Sequence, residues 1–129
     1  MARQKSPTLT EAELRLMNVV WEKGAATASD VLDALPRKPA AAYSTVVTTL
    51  RILEEKGYLR HTKEGRAFVY HPVVDRSAAS LDAVRLLLHR FFKNSPELLV
   101  LNVLKHERID PEELRRLKQL IEESEAEQS

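Results

Sequence analysis

Four side chains near the middle of the chain carry the clearest chemical potential. In YSTVVTTLRILEEK, residues 43–56, the short hydroxyls of Ser44, Thr45 and Thr48 are followed by Arg51. With Val46 set at zero and about 100° allowed per residue, Val46, Leu50 and Leu53 cluster on one side of a helix. Ser44, Thr48, Arg51 and Glu55 fall on the other, with Tyr43 and Thr49 flanking the apolar group and Thr45, Val47 and Ile52 flanking the polar one. Hydroxyls donate to or accept from base edges, branched methyls pack on the thymine methyl, and arginine takes guanine or phosphate. The ridge is therefore expected to enter the major groove of double-stranded DNA. Exposed Ser and Thr also serve simply as solubilising residues. Arg60, Lys63 and Arg66 follow closely and suit phosphate contacts that hold such a helix in register. A charged hairpin tip also discourages edge aggregation. Thr27 and Ser29 read as a helix cap, with a phosphate contact as the alternative.

Other chemistries find little support. The four histidines, 61, 71, 89 and 106, lack short metal-ligand spacing, and three glycines form no phosphate-binding loop. No nucleophile stands with a base and an orienting group, so neither an enzyme nor a cofactor is expected. Without cysteine there is neither a disulfide nor a thiolate site. Net charge is only +1, but residues 37–71 carry seven Lys or Arg against three Glu, whereas residues 74–129 carry nine basic and eleven acidic side chains. The first region suits an anionic partner; the second does not.

The elements that must hold the ridge are marked along the chain. Thr10 with Glu13 is a capping box that opens a helix carrying Leu14, Met17, Val20 and Trp21, and Gly24 closes it. Thr27 with Asp30 opens a second helix, whose Val31, Leu32 and Leu35 face inward until Pro36. The third helix runs from about Ala41 to Lys56 and ends at Gly57. Residues 58–62 and 67–71 then read as a β-hairpin with the tip Lys63, Glu64, Gly65 and Arg66. Three short helices followed by a hairpin is the order of a winged helix-turn-helix. The fold is thus expected to be mostly α with a small β-hairpin, with residues 1–73 as the DNA-binding domain and residues 74–129 as a helical dimerisation region.

That second region begins with Leu81, Val84, Leu88 and Phe91 on one stripe, but Leu86, Leu87 and Phe92 lie elsewhere around the same helix. A helix at Ser95 and Pro96 continues through Leu98, Leu101 and Leu104, and another at Asp110 carries Leu117 and Ile121, with a frayed acidic tail expected after Glu122. So much apolar surface implies a homodimer, which would also space two recognition helices by about one DNA turn or a multiple. No apolar run suffices for membrane insertion, and the start, MARQKSPTLT, lacks the apolar segment of a leader, so a cytoplasmic location is expected.

Three stretches together resemble the penicillinase and methicillin-resistance repressor family of bacterial winged-helix regulators: residues 9–31 (LTEAELRLMNVVWEKGAATASDV), 42–72 (AYSTVVTTLRILEEKGYLRHTKEGRAFVYHP) and 95–123 (SPELLVLNVLKHERIDPEELRRLKQLIEE). The resemblance implies an antibiotic-resistance-type transcription regulator, a homodimeric repressor on a palindromic operator that reads DNA with Ser44, Thr45, Thr48 and Arg51. It also implies a membrane-bound sensor protease that responds to a β-lactam and leads to cleavage after an Asn preceding Phe. The matching pair here is Asn102 and Val103, a departure from that pattern. Copper-responsive relatives carry a Cys-rich motif that this chain lacks. A winged-helix module that docks on another protein is the alternative function.

Overall fold

The computed structural model describes residues 8–128; residues 1–7, which include most of the polar start from which the lack of a leader was inferred, and Ser129 lie outside it. Its elements are α1 (Glu11–Lys23), β1 (Ala26–Thr27), α2 (Ala28–Ala34), α3 (Tyr43–Lys56), β2 (Leu59–Glu64), β3 (Ala67–Pro72), α4 (Arg76–Phe91), α5 (Pro96–His106) and α6 (Pro111–Gln128). One compact unit extends to Leu87 and the other begins at Leu88. The expected boundary after residue 73 falls in the turn before α4. The first part of α4 belongs with the N-terminal unit: Ala79 is buried in its core and the Trp21 indole Nε1–H donates to the Val74 carbonyl at 2.9 Å.

In the N-terminal unit the helix starts form as their capping residues dictate. Thr10 with Glu13, and Thr27 with Asp30, make reciprocal capping boxes. α3 ends in a Schellman arrangement, with the Gly57 N–H donating to the Glu54 carbonyl and the Tyr58 N–H to the Leu53 carbonyl. Gly57 takes φ 92° to permit it. Met17 and Val20 of α1, Val31 of α2, and Val46, Leu50 and Leu53 of α3 are sealed from solvent. Tyr58, Leu59 and Tyr70 bring the sheet onto the same core.

The sheet has three strands in the order β1-β3-β2, all antiparallel. β1 pairs Ala26 with Tyr70 and Thr27 with Val69, and was not expected from the sequence, because two residues carry no period. The hairpin is also tighter than expected. Lys63 and Glu64 remain in the ladder opposite Phe68 and Ala67, leaving only Gly65 and Arg66 in the loop. Gly65 has φ 62°, as the first loop residue of a type II′ turn requires.

One expected core position is corrected. Leu14 is 41% exposed, while Glu13, Leu16, Met17 and Val20 form the buried stripe of α1. A carboxylate can head that stripe because Lys56 Nζ, from the end of α3, meets Glu13 Oε1 at 2.7 Å, and the same oxygen accepts from the Thr10 N–H at 2.8 Å. Burial pushes the Glu13 carboxyl up, but the Lys56 ammonium and the Thr10 N–H outweigh it and hold it below its ordinary value.

In the unit that begins at Leu88, Lys93 and Asn94 adopt positive φ at the turn after α4. Ser95 caps α5 by accepting from the Leu98 N–H, and Asp110 caps α6 by accepting from the Glu113 N–H. α6 continues to Gln128, so the tail expected to fray after Glu122 is helical. Neither α5 nor α6 has a buried residue.

Replacing Glu13 with Gln leaves Lys56 facing a neutral amide and should destabilise the N-terminal unit by about 1–3 kcal/mol in denaturant unfolding. Because the folded-state value is depressed, this contribution is complete above the unfolded-state value. It is lost as the pH falls through the folded one, so wild type and variant should converge in acid.

Candidate nucleic-acid interface

α3 is fixed in rotation by Val46, Leu50 and Leu53, which sit in the core, so its opposite face points outward. Tyr43, Ser44, Thr45, Thr48 and Arg51 are all exposed, as the helical wheel predicts. Among the described residues, the hydroxyls of Ser44, Thr45 and Thr48 make no hydrogen bond, whereas that of Thr49, turned toward the core, donates to the Thr45 carbonyl at 2.8 Å. The ridge thus has unspent donors and acceptors.

The start of α3 differs from the other helix starts. α1, α2, α4, α5 and α6 each have a side chain, from Thr10, Thr27, Asp75, Ser95 and Asp110 respectively, accepting a first-turn N–H. α3 begins at Ala42 without a side-chain cap and has no acidic residue in its first turn. Its N–H groups and the positive end of its dipole are left for an anion. The signal is present in the sequence, in the Ala41-Ala42 pair where a Ser, Thr, Asp or Asn would ordinarily stand.

Three elements converge beside this helix start. Thr27, the N-cap of α2, with Ser29 of α2, Tyr43 and Val47 of α3, and Arg66 and Phe68 of the hairpin help to line an open cleft of about 270 Å³. The Thr27 hydroxyl accepts from the Asp30 N–H and the Thr27 N–H donates to Asp30, so the cap accounts for Thr27. Ser29 stays exposed at the cleft.

Strand alternation divides the hairpin cations. Arg60 pairs with His71 and Lys63 with Phe68, so the two lie on opposite faces. Lys63 shares its face with His61, Phe68 and Tyr70, the face that meets α3; Arg60 does not join that group. Burial, then the Glu54 carboxylate, raises the Tyr70 phenol above its ordinary value against the pull of Arg51, which keeps it neutral at physiological pH. His61 Nδ1 lies 2.8 and 2.7 Å from the two carboxylate oxygens of Glu54, and its ring stacks on Phe68. This bridge between helix and hairpin was not foreseen.

The residues expected to pair two chains are placed on helix surfaces. Leu81, Val84, Phe91, Leu98, Leu101, Leu104, Leu117 and Ile121 are exposed, Phe91 to 72%, and Leu88 is half-buried. Asn102 and Val103 are also exposed but lie in the interior of α5.

The penicillinase repressor family model matches residues 9–123. The penicillinase repressor of Bacillus licheniformis is 34% identical over 120 residues, spanning 93% of this chain and 94% of that one. The methicillin resistance regulatory protein MecI of Staphylococcus aureus is 23% identical over 117 residues, spanning 91% of this chain and 95% of its own length. Among solved structures, the DNA-binding domain of the repressor BlaI superposes with a TM-score of 0.51 at 37% identity, covering 58% of this chain and 93% of that domain.

At the hairpin tip, a Cβ on Gly65 would meet nothing within 4 Å, so any cost of substitution comes from its positive φ alone. Gly65→Val should lower stability by about 1–2 kcal/mol in thermal unfolding without altering the core.

Proposed function

The chain belongs to the penicillinase repressor family, and from that premise we propose that it is a sequence-specific DNA-binding transcriptional repressor that acts as a homodimer on a palindromic operator. The observation that carries the reading is the outer face of α3, with unspent hydroxyls at Ser44, Thr45 and Thr48, Arg51 beside them, and an uncapped N-terminus. Such a face offers hydrogen bonds to base edges while the free N–H groups receive a phosphate. Tyr43, Lys63 and Arg66, beside the cleft or on the helix-facing side of the hairpin, supply backbone contacts that set register; Arg60 contributes from the other side. A repressor works where the chromosome is, which places it in the cytoplasm.

The homodimer follows from the apolar surface of α4, α5 and α6. A chain that exposes Leu81, Val84, Phe91, Leu98, Leu101, Leu104, Leu117 and Ile121 gains about 25 cal/mol for each Å² of that surface removed from water. A second copy offers the same surface in return, and two-fold pairing matches two half-sites. Two linked half-sites bind far more tightly than one, so an event that separates the copies releases DNA. Scission between Asn102 and Val103, by a membrane-bound sensor protease, would be such an event. Because that bond lies inside α5, cutting requires the helix to unwind locally.

Affinity for a mixed duplex pool should fall steeply with salt through counterion release; a protein-docking module would show little duplex affinity at any salt. On a selected operator, Arg51→Ala should cost about 1–3 kcal/mol and relax preference at one base position, whereas Lys63→Ala should weaken all sequences alike and reduce the salt slope by about one. Operator binding that ignored both changes would refute the site assignment.

The dimer is tested by sedimentation. Leu101→Asp with Leu104→Asp should shift the chain from dimer to monomer and weaken grip on the full operator while preserving binding to an isolated half-site. A monomeric wild type in the presence of operator would overturn the homodimer. A truncation meant to isolate the DNA-binding unit should retain residues through Leu87, because stopping near His71 removes Ala79 from the core and the Val74 carbonyl from Trp21.

A further inference from the structure

We propose that Glu54 and His61 form a clasp that positions the hairpin against α3, and that a proton added to His61 tightens it, so that duplex affinity is higher at about pH 6 than at about pH 8. The coupling to DNA rests on the repressor reading above; the clasp itself does not.

The geometry joins three elements. His61 of β2 presents Nδ1 to both carboxylate oxygens of Glu54 on α3, at 2.8 and 2.7 Å. Its ring lies over Phe68 of β3 with centroids 4.3 Å apart and planes 16° apart, and it is tilted against Tyr70 at 5.9 Å. Phe68 in turn lines the cleft with Tyr43 and Arg66. Leu59 is the buried residue of β2 and Tyr70 that of β3, so the hairpin beyond the His61–Tyr70 pair has no core residue to hold it. Lys63 and Arg66 lie in that unsupported part. Their position relative to the ridge depends on what ties the hairpin to α3, and the clasp sits where the core ends.

The electrostatics give the direction. The groups around His61 are Glu54 from α3, Phe68 and Tyr70 from β3, and Lys63 two residues along its own strand, with Arg51 of α3 acting on the neighbouring Tyr70. Tyr70 is neutral, and Lys63 on the same strand face opposes a positive ring. Glu54, in contact through both oxygens, favours it. A neutral imidazole with its hydrogen on Nδ1 already donates to Glu54. A second proton, on Nε2, makes the imidazolium and turns that hydrogen bond into an ion pair. The same proton cancels the charge of a carboxylate on the helix that approaches a polyanion. Both effects act in one direction, so the DNA complex holds more protons than the free chain and affinity rises toward lower pH.

The test is duplex affinity at fixed ionic strength between about pH 8 and about pH 6. Wild type should gain about threefold per half-site, the scale of an exposed ion pair. H61R keeps a flat group over Phe68 with a permanent charge, and should bind with the higher affinity throughout and show no slope. H61F keeps the stack without a charge, and should be weaker and flat. H71Q, which removes the hairpin's other imidazole, should retain the slope. A slope that survives H61F, or one abolished by H71Q, overturns the proposal. A second measurement needs no DNA: ¹⁵N order parameters of residues 62–68 in the free chain should rise over the same interval in wild type but not in H61F. Unchanged values in wild type overturn the clasp. Rising values with no duplex affinity at any pH overturn the DNA-binding reading and with it the coupling.

Discussion

Burial of Val46, Leu50 and Leu53 is the constraint from which the rest of the exposed face of α3 follows. Once these three side chains are fixed against Met17, Val20 and Val31, α3 has no rotational freedom. Turning the helix by even one residue would expose a leucine and bury a hydroxyl without a partner, at a cost of several kcal/mol. The apolar face thus aims the polar one. The hydroxyls need no interaction of their own to be presented outward, which leaves their hydrogen-bonding capacity for another molecule.

The ends of α3 are treated differently. Its C-terminus is secured by Gly57, by the hydrogen bonds of Gly57 and Tyr58 to the last turn, and by the Lys56 ion pair to Glu13 on α1. Its N-terminus has no side-chain cap. A helix anchored at one end and along one face can leave its other end unsatisfied, because the loss of one cap costs only about 1 kcal/mol. The stability comes from burial and the Glu13–Lys56 pair, while the open end keeps its first-turn N–H groups free of side-chain caps. The hairpin follows the same division: Leu59 and Tyr70 root it in the core, and Lys63 and Arg66 stand on the part that the core does not reach.

The two units have opposite balances of surface. The N-terminal one encloses a core with α1, α2, α3 and the sheet around it, whereas α5 and α6 form well-capped helices with nothing buried. Caps specify where helices begin but provide little of the energy that holds them, and packing of an apolar face supplies most of it. Helices with good ends and an uncovered apolar face are complete as local structure and incomplete as tertiary structure. The proposed pairing with a second copy would cover that surface, and would make DNA affinity depend on whether two chains remain together.

The amino-acid order alone determined what depends on a few neighbouring residues. The capping pairs Thr10–Glu13 and Thr27–Asp30, the stop at Gly57, the turn about Gly65 and the two faces of α3 were all legible, because each is set within a turn of helix or a hairpin loop. Tertiary structure decided what depends on residues far apart. Glu13 replaces Leu14 on the buried stripe only because Lys56, 43 positions away, neutralises it, and Trp21 binds the Val74 carbonyl across 53 positions. β1 exists only because β3 lies alongside it, and the cleft and the Glu54–His61 bridge arise where separate elements meet. The reason is one of range: backbone propensity and capping act through adjacent hydrogen bonds, whereas charge neutralisation, strand pairing and enclosure need a partner that only the folded chain brings near.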